Sequence, residues 1–142
     1  MKKVKRNINN VKNSTKKIIA GGAFALTCVT IPMVATQAST VYQAFNTTVG
    51  SFNGNGYTGY LSKTNSGTNA NVRNFSAGGG YSVRVRMQSS SANGAWTGYQ
   101  SSGSFNVSAH SDHGGGTSVR LNFNNRLTTP VSVQVQGDWR PN

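Results

Sequence analysis

The stretch Ser82-Val83-Arg84-Val85-Arg86-Met87-Gln88 alternates apolar and polar residues without interruption. Successive side chains of a β-strand point to opposite faces, so its valines and methionine would share one face and its arginines and glutamine the other. An α-helix would instead need apolar residues spaced three and four positions apart. The stretch therefore predicts a strand that is buried on one side and exposed on the other.

Three further stretches alternate in the same way between Gly, Asn, Ser or Pro residues. Their apolar positions are Phe105, Val107 and Ala109, then Val119, Leu121 and Phe123, then Val131, Val133 and Val135. Weaker strand candidates cover residues 42–45, 57–62, 72–75 and 95–100. Short strands separated by glycine-rich turns predict an all-β fold, a small antiparallel β-sandwich, with a small β-barrel as the alternative.

The first 38 residues have the three parts of an export signal. Residues 1–17 are basic, residues 18–34 are mainly apolar, and residues 35–38 read Ala-Thr-Gln-Ala. We therefore expect a signal peptide over residues 1–38 and one secreted, extracellular domain over residues 39–142. Two alternatives would hold the protein at the membrane, with residues 18–34 as a permanent anchor or Cys28 as a lipoprotein attachment site.

Cys28 is the only cysteine, so the expected domain contains none. Its stability would then come from packing, without disulfides or a thiolate metal site.

Half of the positive charge lies in the expected leader. The sequence has fourteen basic and two acidic residues, a formal net charge of +12. Seven of the basic residues fall within residues 1–17, and we assign their charge to export and not to nucleic-acid binding. The domain keeps the other seven, with Asp112 and Asp138 as its only acids. This surplus favours anionic partners outside the cell.

Three arginines are candidates for a binding face. Arg84 and Arg86 lie on the polar side of one predicted strand, and Arg120 on the polar side of another. If these strands are neighbours, the guanidinium groups share one face of a sheet. Planar bidentate donors suit the anionic groups of a cell-wall polymer, a wall precursor or a membrane surface. An ordinary solvated surface is the alternative interpretation.

Aromatic residues among Gly, Ser and Thr give a second signal, because such residues stack on sugars. Core packing is the alternative for most of them. We expect Trp96 and Tyr99 at the surface, and with the three arginines they form the predicted site for envelope anions or glycans. Trp139 follows the last predicted strand, where it would cover one end of the sandwich.

The sequence His110-Ser111-Asp112-His113 contains both histidines and one of the two acids. His110, Asp112 and His113 are the candidate metal ligands, since imidazole and carboxylate bind zinc or copper. A polar, pH-sensitive hairpin loop is the alternative. Because a zinc site usually has three or four ligands and few such residues remain, we predict no metal site and no cofactor.

The sequence also lacks a convincing catalytic arrangement. A Ser-His-Asp triad would need side chains that converge from separate elements, and here they are consecutive. Asp112 and Asp138 are the only carboxylates for a glycosidase pair, and neither has a recognisable setting. We predict that the protein is not an enzyme.

The C-terminal half resembles a known group of proteins. Thr117-Ser118-Val119-Arg120-Leu121, Asn124-Asn125 and Val133-Gln134-Val135-Gln136-Gly137-Asp138-Trp139 are similar to a family of small exported Gram-positive proteins of unknown function. Residues 60–65 are also similar to that family. A looser resemblance links the chain to the lactococcin 972 family of bacteriocins. That resemblance implies a secreted, cationic β-sandwich with antimicrobial activity, and it assigns no functional residue.

These observations lead to two functional hypotheses. The first is a bacteriocin-like protein that acts at the cell envelope of Gram-positive bacteria by non-catalytic binding of an anionic wall component. The second is a passive cell-wall or matrix module that binds polymer without harming cells. In both, the partner is a wall polymer, a wall precursor or a membrane surface, and not nucleic acid.

Overall fold

The protein is represented by a computed structural model that describes residues 41–142. The expected signal peptide and Cys28 lie outside these residues. Eight strands and one 3-10 turn make up the described part. They are β1 (Gln43–Val49), β2 (Asn55–Tyr57), β3 (Leu61–Ser62), β4 (Ala70–Ala77), the turn Gly78–Gly80, β5 (Arg84–Gln88), β6 (Ser102–Val107), β7 (Ser118–Asn124) and β8 (Val133–Arg140).

The strands form two antiparallel sheets. The first has the order β1-β8-β4-β6. In the second, β7 is central. Both β2 and β5 pair with residues 122–124 of β7, so they must lie along its opposite edges, and β3 pairs with the beginning of β7. The candidate arginines at 84, 86 and 120 therefore belong to neighbouring strands.

One hydrophobic core lies between the sheets. The ring of Phe123 on β7 is 5.3 Å from that of Phe45 on β1 and 6.1 Å from that of Phe75 on β4, measured between centroids. Trp139 is buried in the same core as part of β8 and not beyond the last strand, so it does not take the end-covering position expected. The small antiparallel β-sandwich is confirmed, and the sheets do not close into a barrel.

The alternation that decided the fold prediction is present in β5. Val85 and Met87 are fully buried, while Arg84 and Arg86 are partly exposed on the opposite face. The prediction is less accurate at other strand ends. Strand β8 begins two residues after Val131, whose carbonyl oxygen accepts a hydrogen bond from the loop residue Asn125. The predicted strand at residues 95–100 instead follows β5 through isolated contacts.

A bulge in β4 determines where one of the two acids lies. The pairing register shifts between Val72 and Phe75, and Asn74 has a φ of 52°, a left-handed conformation that asparagine tolerates. Its side-chain amide donates to Asp138 Oδ2 at 3.0 Å. On β8, a Cβ added to Gly137 would lie 3.0 Å from the Arg73 carbonyl oxygen, so glycine permits this close approach. Asp138 is thereby engaged on the first sheet.

Candidate functional site

The outward face of the second sheet carries three arginines, each paired with an amide side chain on the neighbouring strand. The register places Arg84 opposite Asn124, Arg86 opposite Asn122, and Gln88 opposite Arg120. These six residues point away from the core because the residues between them, such as Val85 and Phe123, are buried. We call this set the arginine face.

The two outer pairs of the arginine face are hydrogen-bonded across the strands. Arg84 Nε donates to Asn124 Oδ1 at 2.9 Å, and Arg120 Nε donates to Gln88 Oε1 at 3.0 Å. Asn124 also donates to the Asn53 carbonyl oxygen at 2.8 Å, which fixes its amide group. Arg84 and Arg120 therefore use Nε for a hydrogen bond within the sheet. The remaining N–H groups of their guanidinium groups are left for other partners.

The middle pair is different. Arg86 Nε and Asn122 Oδ1 are both buried, and neither has a hydrogen-bond partner in the described structure. Asn122 is only 1 % exposed, although it lies on the outward side of β7. A buried polar atom without a partner costs about 1–3 kcal/mol. The arginine face therefore contains one unused donor and one unused acceptor directly opposite each other.

Trp96 lies beside the arginine face at the edge of β5 that faces away from β7. The guanidinium carbons of Arg84 and Arg86 are 4.7 and 4.4 Å from its ring centroid, which is cation–π geometry. Thr97 attaches this segment to β5, because its backbone N–H donates to the Val85 carbonyl at 2.8 Å and its Oγ1 accepts from the Val85 N–H at 2.9 Å. The structure thus brings four of the five predicted site residues, the three arginines and Trp96, together on or beside the arginine face.

Tyrosines occupy the opposite edge. The guanidinium carbon of Arg120 lies 3.9 Å from the ring centroid of Tyr57 and 5.0 Å from that of Tyr60. Tyr57 also stands opposite Asn122 in the register between β2 and β7. Both rings remain exposed, at 40 % and 49 %. The arginine face is therefore bordered by aromatic rings on two sides.

Tyr99 is not part of this cluster. Its ring stacks with the guanidinium of Arg126, 3.8 Å from the centroid, and Arg126 Nε donates to Ser82 Oγ at 3.2 Å. Sequence reasoning did not identify Arg126, because it lies in the loop after β7 and outside any alternating pattern. It also missed Asn122, whose only signal was its polar position between Leu121 and Phe123.

No carboxylate forms an ion pair with the arginine face within residues 41–142. Asp138 Oδ2 lies 3.7 Å from Arg73 Nε on the first sheet, and Asp112 Oδ2 lies 3.5 Å from His110 Nδ1. These are the only aspartates, and the chain has no glutamate. The guanidinium charges of the face are therefore left without side-chain counter-ions.

The histidine turn is held together by its own hydrogen bonds. The Nδ1 of the buried His113 accepts from the His110 backbone N–H at 3.1 Å, and its Nε2 lies 3.3 Å from the Ala92 carbonyl oxygen. His110 Nδ1 accepts from the Asp112 backbone N–H at 3.1 Å. Burial lowers the pKa of His113, and the hydrogen bond to Ala92 partly opposes this.

The same hydrogen bonds leave His113 without a free ring nitrogen for a metal ion. Within residues 41–142 no three potential metal-ligating side chains gather at one place. This part of the chain also has no helix long and apolar enough to cross a membrane. Comparison of the chain with protein-family models, with curated proteins and with solved structures finds no match in any of the three.

Proposed function

We propose that the protein is a secreted, cationic, bacteriocin-like protein that acts at the envelope of Gram-positive cells by binding an anionic wall component without catalysis. The observation that carries the proposal is the arginine face. Three guanidinium groups lie on one side of a sheet with no carboxylate paired to them. Such a surface attracts anions and raises their local concentration.

The chemistry of the face favours phosphate or carboxylate groups attached to a carbohydrate or polyol. Guanidinium groups form bidentate hydrogen bonds with these anions and cannot act as proton acceptors at neutral pH. Trp96, Tyr57 and Tyr60 supply apolar ring surface next to the charges, which suits the C–H faces of sugars. Teichoic acids, wall precursors and phospholipid head groups share this combination. Nucleic acid is the less favoured partner because export would separate the protein from it.

The antagonistic activity rests on the resemblance to the lactococcin 972 family. The second candidate, a passive cell-wall or matrix module, would use the same face and differ only in its effect on cells. The purified protein applied to lawns of Gram-positive bacteria separates the two. Zones of growth inhibition support antagonism, whereas wall binding without inhibition supports the passive module.

Replacing Arg84, Arg86 and Arg120 together by Gln tests the binding surface. We expect the amount of protein sedimented with purified cell walls to fall at least tenfold, because the charge-assisted hydrogen bonds to the wall anions are lost. A variant with Arg73 and Arg140 replaced by Gln is the matched control, since both residues lie on the first sheet. Unchanged sedimentation of the triple variant, or an equal loss in the control, would contradict the assignment of this face.

A further inference from the structure

In the middle pair of the arginine face, Arg86 Nε and Asn122 Oδ1 could hydrogen-bond to each other as the outer pairs do, but they form no such bond. Three arginine–amide pairs stand in successive rows of the same two strands, with alternate residues on each strand, so their backbone geometry is equivalent. The outer rows are hydrogen-bonded at 2.9 and 3.0 Å. In the middle row, neither Arg86 Nε nor Asn122 Oδ1 has a hydrogen-bond partner within residues 41–142. The backbone geometry of the sheet therefore does not prevent a hydrogen bond between Arg86 and Asn122.

Both members of the middle pair lie beside an aromatic ring. The Arg86 guanidinium lies over Trp96, on the side of β5 away from Asn122. Asn122 stands between Arg86 and Tyr57, whose ring is engaged with Arg120. Arg84 also lies over Trp96 and still donates to Asn124, so the ring contact alone does not separate the middle pair. The middle row therefore holds a donor on one strand and an acceptor on the other, and neither has a partner within residues 41–142.

A single hydroxyl group satisfies both atoms. Its oxygen accepts from Arg86 Nε while its proton is donated to Asn122 Oδ1. A phosphate oxygen would satisfy the arginine and leave the amide oxygen without a donor, because an ionised phosphate only accepts. The chemistry of this unpartnered pair therefore selects a hydroxyl-bearing ligand from among the anions that the surrounding charges attract.

We infer that the arginine face binds a phosphorylated polyol, with a hydroxyl between Arg86 Nε and Asn122 Oδ1 and the phosphate on the neighbouring guanidinium groups. This inference rests on the proposed function and specifies its ligand. The phosphate meets Arg84, two residues from Arg86 on β5, whose Nε is already used and whose terminal N–H groups remain for an anion. The carbon chain of the polyol lies against the ring of Trp96, which both of these arginines contact.

The ligand enters by displacing side chains, because Arg86 Nε and Asn122 Oδ1 are both covered. Tyr57 is 40 % exposed, and stacking at such exposed sites is weak. Moving this ring therefore costs little free energy. Arg86 Nε and Asn122 Oδ1 both gain hydrogen-bond partners when the ligand binds.

Two small molecules of equal charge test the hydroxyl directly. sn-Glycerol 3-phosphate and propyl phosphate have the same phosphate and the same three-carbon chain, and only the first carries hydroxyls. We expect the protein to bind glycerol phosphate about tenfold more tightly by calorimetry, a difference of about 1.4 kcal/mol. The Arg86 Nε–Hε signal in a 15N NMR spectrum should shift with glycerol phosphate and much less with propyl phosphate.

Asn122→Leu tests the acceptor. The variant should fold, because it removes a buried oxygen that has no partner. We expect it to bind both phosphates equally, close to the wild-type affinity for propyl phosphate. Asn46→Leu is the matched control, since Asn46 is an exposed amide on the first sheet and its loss should leave the tenfold preference intact. Equal binding of the two phosphates by the wild type, or a preference that survives in Asn122→Leu, would overturn the inference.

The remaining outcomes separate this inference from the proposed function. If walls bind through the three arginines but the two phosphates bind alike, the anion-binding function stands and the polyol site is wrong. If the triple arginine variant still binds walls, the proposed function itself fails. A short single-stranded RNA also carries hydroxyls and phosphates, and tighter binding of RNA than of poly(glycerol phosphate) would reject a wall polyol as the ligand.

Discussion

Lys63 is a buried cation held by main-chain oxygens and one threonine hydroxyl. Its Nζ donates to the main-chain oxygens of Thr68 at 2.6 Å, Pro141 at 2.8 Å and Asn142 at 3.2 Å, and to Thr68 Oγ1 at 3.1 Å. The residue is 1 % exposed, and burial lowers the pKa of its ammonium group. This arrangement attaches residues 141–142 to the strand end at β3. The lysine is therefore structural, although a sequence reading would place it on the surface.

We expect Lys63→Met to reduce the free energy of unfolding by about 3 kcal/mol, because several buried carbonyl oxygens would lose their donor. Urea denaturation followed by far-UV circular dichroism measures the change. Arg73→Met is the matched control. Its ion pair with Asp138 is partly exposed and long, at 3.7 Å, and such pairs contribute at most about 1 kcal/mol. A Lys63→Met variant as stable as this control would show that the buried hydrogen bonds contribute little.

At the scale of elements, the segment 93–100 determines where Trp96 lies. It is attached to the edge of β5 by single bridges and by the two hydrogen bonds between Thr97 and Val85. A regular strand would fix each residue through a continuous ladder. Here Thr97 alone supplies both a backbone and a side-chain bond beside the tryptophan. Thr97 is therefore a positioning residue for the aromatic edge of the arginine face.

Replacing Thr97 by Val keeps the shape of the side chain and removes its hydroxyl. We expect wall binding to weaken about threefold to tenfold, because a less fixed Trp96 no longer supports Arg84 and Arg86. Trp96 fluorescence should also become more accessible to iodide, while the buried Trp139 stays protected. Thr48→Val is the control, since Thr48 is exposed on β1. If iodide quenching and wall binding are unchanged in Thr97→Val, Thr97 does not position Trp96.

At the scale of the whole molecule, His113 connects stability to pH. The side chain is fully buried, and burial lowers its pKa in the folded state below the ordinary value of about 6.5. As pH falls below about 6.5, the unfolded chain takes up a proton on this residue and the folded chain does not. Acid therefore favours the unfolded state. The stability present at neutral pH should decrease until the lowered pKa is reached.

We expect the free energy of unfolding to fall by up to about 1.4 kcal/mol per pH unit just below pH 6.5. Urea denaturation at a series of pH values measures the slope. His113→Gln should flatten the profile in this window, even if its stability at pH 7 is lower. His110→Gln removes the other imidazole of the same turn and should retain the slope. A sloping profile in His113→Gln would assign the pH dependence to another group.

Much of the fold could be predicted from local pattern. The alternation in β5 and β7 is a property of consecutive residues, and burying a valine on one side necessarily turns its arginine neighbours outward. Strand ends were less predictable, because they depend on distant partners. Strand β8 begins at Val133, opposite Val49 at the end of β1, and the Val131 carbonyl oxygen accepts a hydrogen bond from Asn125 in the loop after β7.

Three features follow from the order of amino acids alone: the all-β class, the outward direction of Arg84, Arg86 and Arg120, and the scarcity of acids to neutralise them. Folding of the whole domain was needed to place Arg86 opposite Asn122 and to bring Tyr99 against Arg126 instead of Trp96. The difference arises because the direction of a side chain follows from local backbone geometry. The residue it meets depends on strand order and register, which the packing of the whole core sets.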